Sequence, residues 1–346
     1  MKALVKYQKG PGNMEIRDVP EPAPARGEVK IEVYATGICG SDLHIYHDDA
    51  VVPINPPVIT GHEFSGVVTE IGEGVTEWKV GDRVVPETAY DVCGICEPCK
   101  TGFYNLCQQR RTIGFWANGA FTRYVVVPAH RVHRLPDNID FVAGALMEPL
   151  ACVAHAALEL THITAGDVVL VSGPGAIGLS AVQVAKAQGA KVIAAGTAKD
   201  VKRLELAQQL GADMTVDVTS TNLLEEVAGL TNSYGVDVVL ECSGSEKAAN
   251  DAVDAVKKQG QYTQIGLFGR PITLDVEKIC FKEIRFTGSL ASKWTSWKKA
   301  LQLVAQEKVQ LNPLVSDILP LTEWETAFKM FDEKKGLKLV LTPVEE

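Results

Sequence analysis

Apolar positions change their rhythm near residue 141. Before that point they fall in short runs at 29–35, 65–71 and 82–85, broken by Gly and Pro and closing on Val125-Val126-Val127-Pro128. That pattern predicts a β-rich first part. Residues 143–160 are rich in Ala and Leu and predict a helix, kinked or restarted at Pro149. The all-apolar run 168–171 predicts a buried parallel strand. Helix then alternates with strand, with helices predicted over 179–188, 201–210 and 248–257 and strands over 191–195, 236–240 and 262–265. Such alternation predicts a doubly wound parallel sheet. From about Lys293, helices at 297–306 and 323–331 and a strand at 338–341 read as completion of the first part. The expected class is α/β. A β-rich domain is expected over 1–150 and 288–346, with a parallel-sheet domain over 151–287 inserted in it.

Composition narrows the class. A chain of 346 residues with 46% hydrophobic and 22% charged positions suits two globular domains. No run of about 18 apolar residues predicts a membrane span. The start, Met1-Lys2-Ala3-Leu4, lacks the apolar run of a secretory leader, so a cytoplasmic protein is expected. The net charge of -9 argues against nucleic acid as the main partner and says nothing sharper.

Three groups of residues carry chemistry. The first is Gly173-Pro174-Gly175-Ala176-Ile177-Gly178, set between the strand 168–171 and a helix. Gly173 permits a tight turn, Gly175 lets backbone N–H groups approach a pyrophosphate, and Gly178 lets helix and strand pack closely. A dinucleotide is the expected cofactor. An NAD site usually carries an acid after the next strand, but Thr197 is followed by Ala198 and Lys199, with Lys202 and Arg203 beyond. Thr197, Lys199 and Arg203 suit a 2′-phosphate, which favours NADP and leaves NAD open. Ser243, Gly266, Leu267, Ser289 and Leu290 lie in loops after later strands and are candidates for the other end of the cofactor.

The second group is Cys93, Cys96, Cys99 and Cys107, four soft ligands in one loop. They can close a tetrahedral shell around zinc with no open position, which is a structural role. The third group is dispersed: Cys39, His62, Glu63 and Glu148. Cysteine, histidine and carboxylate together suffice for a catalytic zinc with a place left for substrate.

These residues resemble the zinc-dependent medium-chain dehydrogenase/reductase superfamily. The resemblance rests on Gly61-His62-Glu63-x-x-Gly66 with Gly72 and Val75, then the four-cysteine loop, then the glycine fingerprint, in that order. It covers nearly the whole chain. Glu148-Pro149-Leu150 makes the chain most similar to the sorbitol (polyol) dehydrogenase branch, which uses Glu where typical alcohol dehydrogenases use Cys.

The resemblance implies a GroES-like β-rich catalytic domain plus a Rossmann cofactor domain. It implies a catalytic zinc on Cys39, His62 and Glu148, with Glu63 beside it as a transient ligand or holder of the zinc water. Ser41 and His44 match the family's proton relay. The implied reaction moves a hydride between a secondary alcohol or polyol and NAD(P), in a homodimer or homotetramer. Threonine and polyol phosphates fit the same scaffold. A catalytically idle dinucleotide-binding protein is the rival from another class. Cys152, four residues past Glu148, is an alternative ligand if the register differs.

Overall fold

The computed structural model describes residues 1–50 and 52–344. The chain divides into two compact units, Met1–Glu148 with Leu314–Glu346, and Pro149–Pro313.

The first unit is built on antiparallel sheet. Its central strand, Glu28–Gly37, buries Val29, Ile31, Val33 and Ala35, the alternation that places one face of a strand against a core. It pairs antiparallel with Glu63–Ile71 on one side and meets Lys338–Thr342 on the other. Arg83–Pro86 and Val132–Arg134 extend the sheet beyond Glu63–Ile71, and Tyr124–Pro128 also pairs with the central strand. Phe64, Val68, Val84, Val125 and Val127 fill the core on this side. A second core packs Leu4, Ile38, Ile45, Phe121, Leu339 and Leu341 against Trp324 and Phe328 of the helix Trp324–Asp332. The carboxyl-terminal strand thus sets Lys338 beside Gly37 and Ile38.

The second unit is a six-stranded parallel sheet. Numbered along the chain, its strands are Val168–Ser172, Lys191–Gly196, Met214–Asp217, Val236–Glu241, Val256–Gln264 and Arg285–Gly288, and their spatial order is 3-2-1-4-5-6. That is the order of a dinucleotide-binding fold. The strands Val168–Ser172 and Lys191–Gly196 are apolar along nearly their whole length because helices cover them, and the helix Ala176–Ala187 is buried along most of its length.

The expected boundary at residue 288 differs from the observed one. Residues 288–313 belong to the second unit. Lys299 Nζ donates to the Leu158 carbonyl (3.1 Å), and Gln183 and Gln310 exchange two hydrogen bonds of 3.0 and 2.7 Å, so the helix Trp294–Ala305 and its exit are fastened there. Of the two expectations for Pro149, a kink or a restart, the structure takes the restart. The chain forms Phe141–Gly144, restarts as Met147–His155 and closes in a π turn at Ala156–Leu160. Pro149 sits in the first turn, where its missing N–H leaves no bond unmade. The helix expected over 248–257 runs Glu246–Ala255, and the chain passes directly into the strand Val256–Gln264. The strand Met214–Asp217 and the helices Leu223–Thr231 and Val276–Lys282 carried too weak a periodic pattern to be predicted.

Candidate active site

Cys39 caps the helix Gly40–His47, which carries Ser41, Asp42 and His44. The Asp42 carboxylate is fully buried and accepts the Cys39 backbone N–H (2.8 Å). Its Oδ1 stands 3.6 Å from His62 Nδ1, and among the described residues neither atom has a hydrogen-bond partner. The ring therefore turns Nδ1 to a carboxylate and leaves Nε2 free to face Cys39 and Ser41, whose Oγ lies 3.4 Å away. Burial of the ring disfavours its charge, yet Asp42 and the Cys39 sulfur outweigh that and hold the His62 pKa well above the ordinary histidine value. A side chain with this affinity for a proton is also a strong ligand for a cation.

Glu63 opens the strand Glu63–Ile71 and is buried. Its Oε2 pairs with the Lys338 ammonium, which also donates to the Ile38 carbonyl (2.9 Å). Burial works against charge on Lys338, but Glu63, the Cys39 sulfur and Glu148 together raise its pKa above the usual lysine value. Gly37 and Gly66 are glycines for lack of space. A Cβ at Gly37 would overlap the Glu63 carboxylate, and one at Gly66 would overlap the Glu32 carbonyl of the neighbouring strand.

Ligand atoms of Cys39, His62 and Glu63 all lie within 4.8 Å of one another. Soft sulfur, imidazole and carboxylate at this spacing fit zinc. Glu148, in the first turn of Met147–His155, lies outside that group of atoms and reaches it through its charge on Lys338.

The Sγ atoms of Cys93, Cys96, Cys99 and Cys107 also lie within 4.8 Å of one another, and all four are free cysteines. Cys93 and Cys107 sulfurs are 3.6 Å apart, and Cys93 and Cys99 3.9 Å. A tetrahedron with zinc–sulfur bonds of about 2.3 Å has edges of about 3.8 Å, so the loop fits that ion. Backbone N–H groups of Cys96 and Ile95 draw the Cys93 thiol down to about 6. Desolvation and the neighbouring sulfurs push the Cys99 thiol up to about 12.

In the second unit, Gly173 has φ of +95°, and a Cβ there would press on Ser243. A Cβ at Gly178 would overlap the Gly173 carbonyl, whereas Gly175 faces open space. Gly175 caps the helix Ala176–Ala187 with no side chain over its first N–H groups, which fits a phosphate cradle. Next to the turn is a cavity of about 120 Å³ bordered by Gly173, Gly196, Thr197, Asp200, Ser243 and Lys247. Asp200 does not stand idle there. Its Oδ2 accepts the Thr197 N–H and hydroxyl (3.0 and 2.8 Å) and its Oδ1 pairs with Arg203 (3.3 Å).

Two family models match the chain, the alcohol dehydrogenase GroES-like domain over residues 25–137 and the zinc-binding dehydrogenase over 176–306. A sorbitol dehydrogenase of Halalkalibacterium halodurans is 44% identical, with 100% of both chains covered. The chain belongs to the zinc-dependent medium-chain dehydrogenase superfamily, polyol branch. A D-arabitol-phosphate dehydrogenase of Enterococcus avium is 40% identical over 99% of this chain and 97% of that one. A Sinorhizobium meliloti protein described as a zinc-binding dehydrogenase and solved with NADP superposes with a TM-score of 0.91 at 33% identity, covering 99% of each chain. This dehydrogenase is thus a zinc-dependent oxidoreductase that moves a hydride between a CH–OH carbon and NAD(P). No described helix is long and apolar enough to cross a membrane.

Within the dehydrogenase, Ser41 and His44 lie three residues apart on one helix, and His44 Nδ1 bonds Asp49 Oδ1 (2.9 Å) near the surface. Lys199 is exposed, and Arg203 is committed to Asp200. Tyr46 and Phe115 are packing residues. Tyr46 meets Trp324 and Phe328 edge-on, and Phe115 is buried beside the His62 ring. Sequence reasoning missed Asp42, although it lies three residues from Cys39 inside the same motif. It also missed Lys247 and the pairing of Lys338 with Glu63, for which the sequence offers no local signal.

Proposed function

We propose that this dehydrogenase oxidises a secondary alcohol or polyol to the carbonyl compound, prefers NADP to NAD, and holds one catalytic and one structural zinc per subunit. The convergence of half-buried Cys39 with buried His62 and Glu63 carries this reading. Cys39, His62 and one carboxylate, Glu63 or Glu148, hold the catalytic zinc, which when bound supplies Lewis acidity toward the substrate hydroxyl. Cys93, Cys96, Cys99 and Cys107 hold the structural one.

Asp42 fixes the His62 ring so that Nε2 is the ligand atom. Ser41 Oγ accepts the substrate proton as it gives up its own hydroxyl proton to the relay, and His44, steadied by Asp49, returns a proton to solvent. Backbone N–H groups at Gly175, Ala176, Ile177 and Gly178 would hold the pyrophosphate of a dinucleotide, which when bound supplies a hydride acceptor. The NADP preference is supported by Asp200, whose two carboxylate oxygens are engaged with Thr197 and Arg203, with exposed Lys199 and Lys202 close by in the chain. An assembly of two or four subunits in the cytoplasm completes the reading.

The test is turnover of a panel containing sorbitol, arabitol, arabitol phosphate and threonine, with NADP⁺ and NAD⁺ separately and zinc assayed on the same sample. The expected result is chelator-sensitive oxidation of a free polyol, faster with NADP⁺, and two zincs per subunit. Turnover confined to the phosphate ester or to threonine overturns the substrate. A single zinc that survives Cys39→Ser overturns the catalytic site.

A further inference from the structure

Glu241 ends the fourth strand of the parallel sheet and is fully buried. Among the described residues no cation pairs with it. Four donors surround its carboxylate instead. Oε1 accepts the Ser243 N–H (2.9 Å) and the Ser243 hydroxyl, and Oε2 accepts the Gly244 N–H (3.1 Å) and Gln264 Nε2 (2.6 Å). Gln264 is held in that orientation at both ends. Its Oε1 accepts the Tyr262 hydroxyl (2.8 Å), and its Nε2 donates onward to the Gly266 carbonyl (2.8 Å). The Glu241 carbonyl takes the N–H groups of Ile265 and Gly266 (2.8 and 2.9 Å).

One side chain therefore joins the loop after the fourth strand to the loop after the fifth. The fit between them is close. A Cβ at Gly244 would overlap the Leu267 carbonyl, and one at Gly266 would overlap the Gly244 nitrogen. Ser243 in turn rests against Gly173, the first glycine of the phosphate turn. A buried anion without a countercharge is costly unless every lone pair is met. Among the buried sheet positions Ser172 and Thr263 are polar but uncharged, so a fully buried carboxylate at the end of the fourth strand points to a job there.

We propose that Glu241 is a positioning residue for the nicotinamide half of the cofactor. The proposal rests on the reading that the glycine turn Gly173–Gly178 binds the pyrophosphate. In a sheet ordered 3-2-1-4-5-6, the adenosine half then lies toward the second strand and the nicotinamide half over the fourth and fifth. Glu241 sets the surface on which that second half rests, without touching the first.

The test compares Glu241→Gln with wild type. Glutamine keeps the shape but turns an N–H₂ group toward donors that need an acceptor. NADPH binding is followed by nicotinamide fluorescence, and binding of 2′-phospho-ADP-ribose, which lacks the nicotinamide, by calorimetry. The expected result is NADPH affinity lowered roughly 10- to 100-fold and fragment affinity unchanged, with KM for the cofactor raised and KM for the alcohol unaltered. Gln264→Ala, which removes one of the four donors to Glu241 together with the links to Tyr262 and Gly266 but keeps the Ser243 and Gly244 contacts, should give the same selective loss in smaller degree, and it serves as the test if Glu241→Gln does not fold. Equal losses for NADPH and fragment, or no loss for either, overturn the proposal. A wild-type protein that binds neither ligand overturns the cofactor reading, and the proposal with it.

Discussion

At the scale of single residues, the chemistry is set by buried charge. Asp42 has no substrate to touch, yet it decides which nitrogen His62 presents. Replacing Asp42 by Asn should leave the fold in place and lower zinc affinity at the Cys39–His62–Glu63 cluster by about 10- to 100-fold. Zinc retained after dialysis against a chelator measures it, and unchanged retention would show that the ring is fixed by packing against Phe115 instead. The sequence was informative where a motif is local. The four cysteines fall within one loop, and Cys39 and His62 carry their own glycine-rich surroundings. It was silent where one charge answers another from a distant segment. Nothing near Lys338 announces that its ammonium ends against Glu63, because a strand pairing brings them together.

At the scale of elements, two local devices carry predictions. Gly178 opens the cofactor helix against the Gly173 carbonyl with no room for a methyl group. Gly178→Ala should push helix and strand apart, costing about 1–3 kcal/mol of stability and most of the NADPH affinity. A thermal melt and a fluorescence titration check both, and normal binding would mean that the turn is not the phosphate site. The second device is the π turn Ala156–Leu160, which holds Glu159 among His155, Lys293 and Lys299. Burial disfavours the Glu159 carboxylate, but His155, Thr295 and the two lysines overcome it and bring its pKa down to about 2 from an ordinary 4.5. A lowered carboxylate pKa stabilises the folded state above the unfolded-state value, and that contribution fades as pH falls from about 4.5 toward 2. With screening, Glu159→Gln should cost on the order of 2 kcal/mol at pH 7, roughly half that or less near pH 3 and little at pH 2. Urea unfolding of both proteins across that range tests it, and a gap that does not close on acidification would rule the mechanism out. Element type followed from periodicity for the long helices and apolar strands. It failed at Met214–Asp217 and Val276–Lys282, a short strand and a short helix with too few residues to show a period.

At the scale of the whole molecule, the sequence conveyed that one α/β unit interrupts a β-rich one, but placed the return too early. The helix Trp294–Ala305 looked like part of the first unit because no strand follows it in alternation. Buried Trp297 and the hydrogen bonds from Lys299 and Gln310 hold it to the second. The same unit bears on assembly. Arg285–Gly288 is an edge strand with one neighbour in the sheet, and Val276, Phe281, Phe286 and Leu290 are exposed around it, Phe281 at 78%. An open strand edge beside this much apolar surface favours association with a second copy. Phe281 lies on the helix Val276–Lys282, and an aspartate there changes the surface while sparing the interior. Light scattering at micromolar concentration should find wild type as a dimer or tetramer and Val276→Asp/Phe281→Asp as a smaller species with an unaltered circular dichroism spectrum. A wild-type monomer would leave this apolar edge without the partner that its exposure calls for. A double variant that stays assembled would move the interface to another face of the molecule.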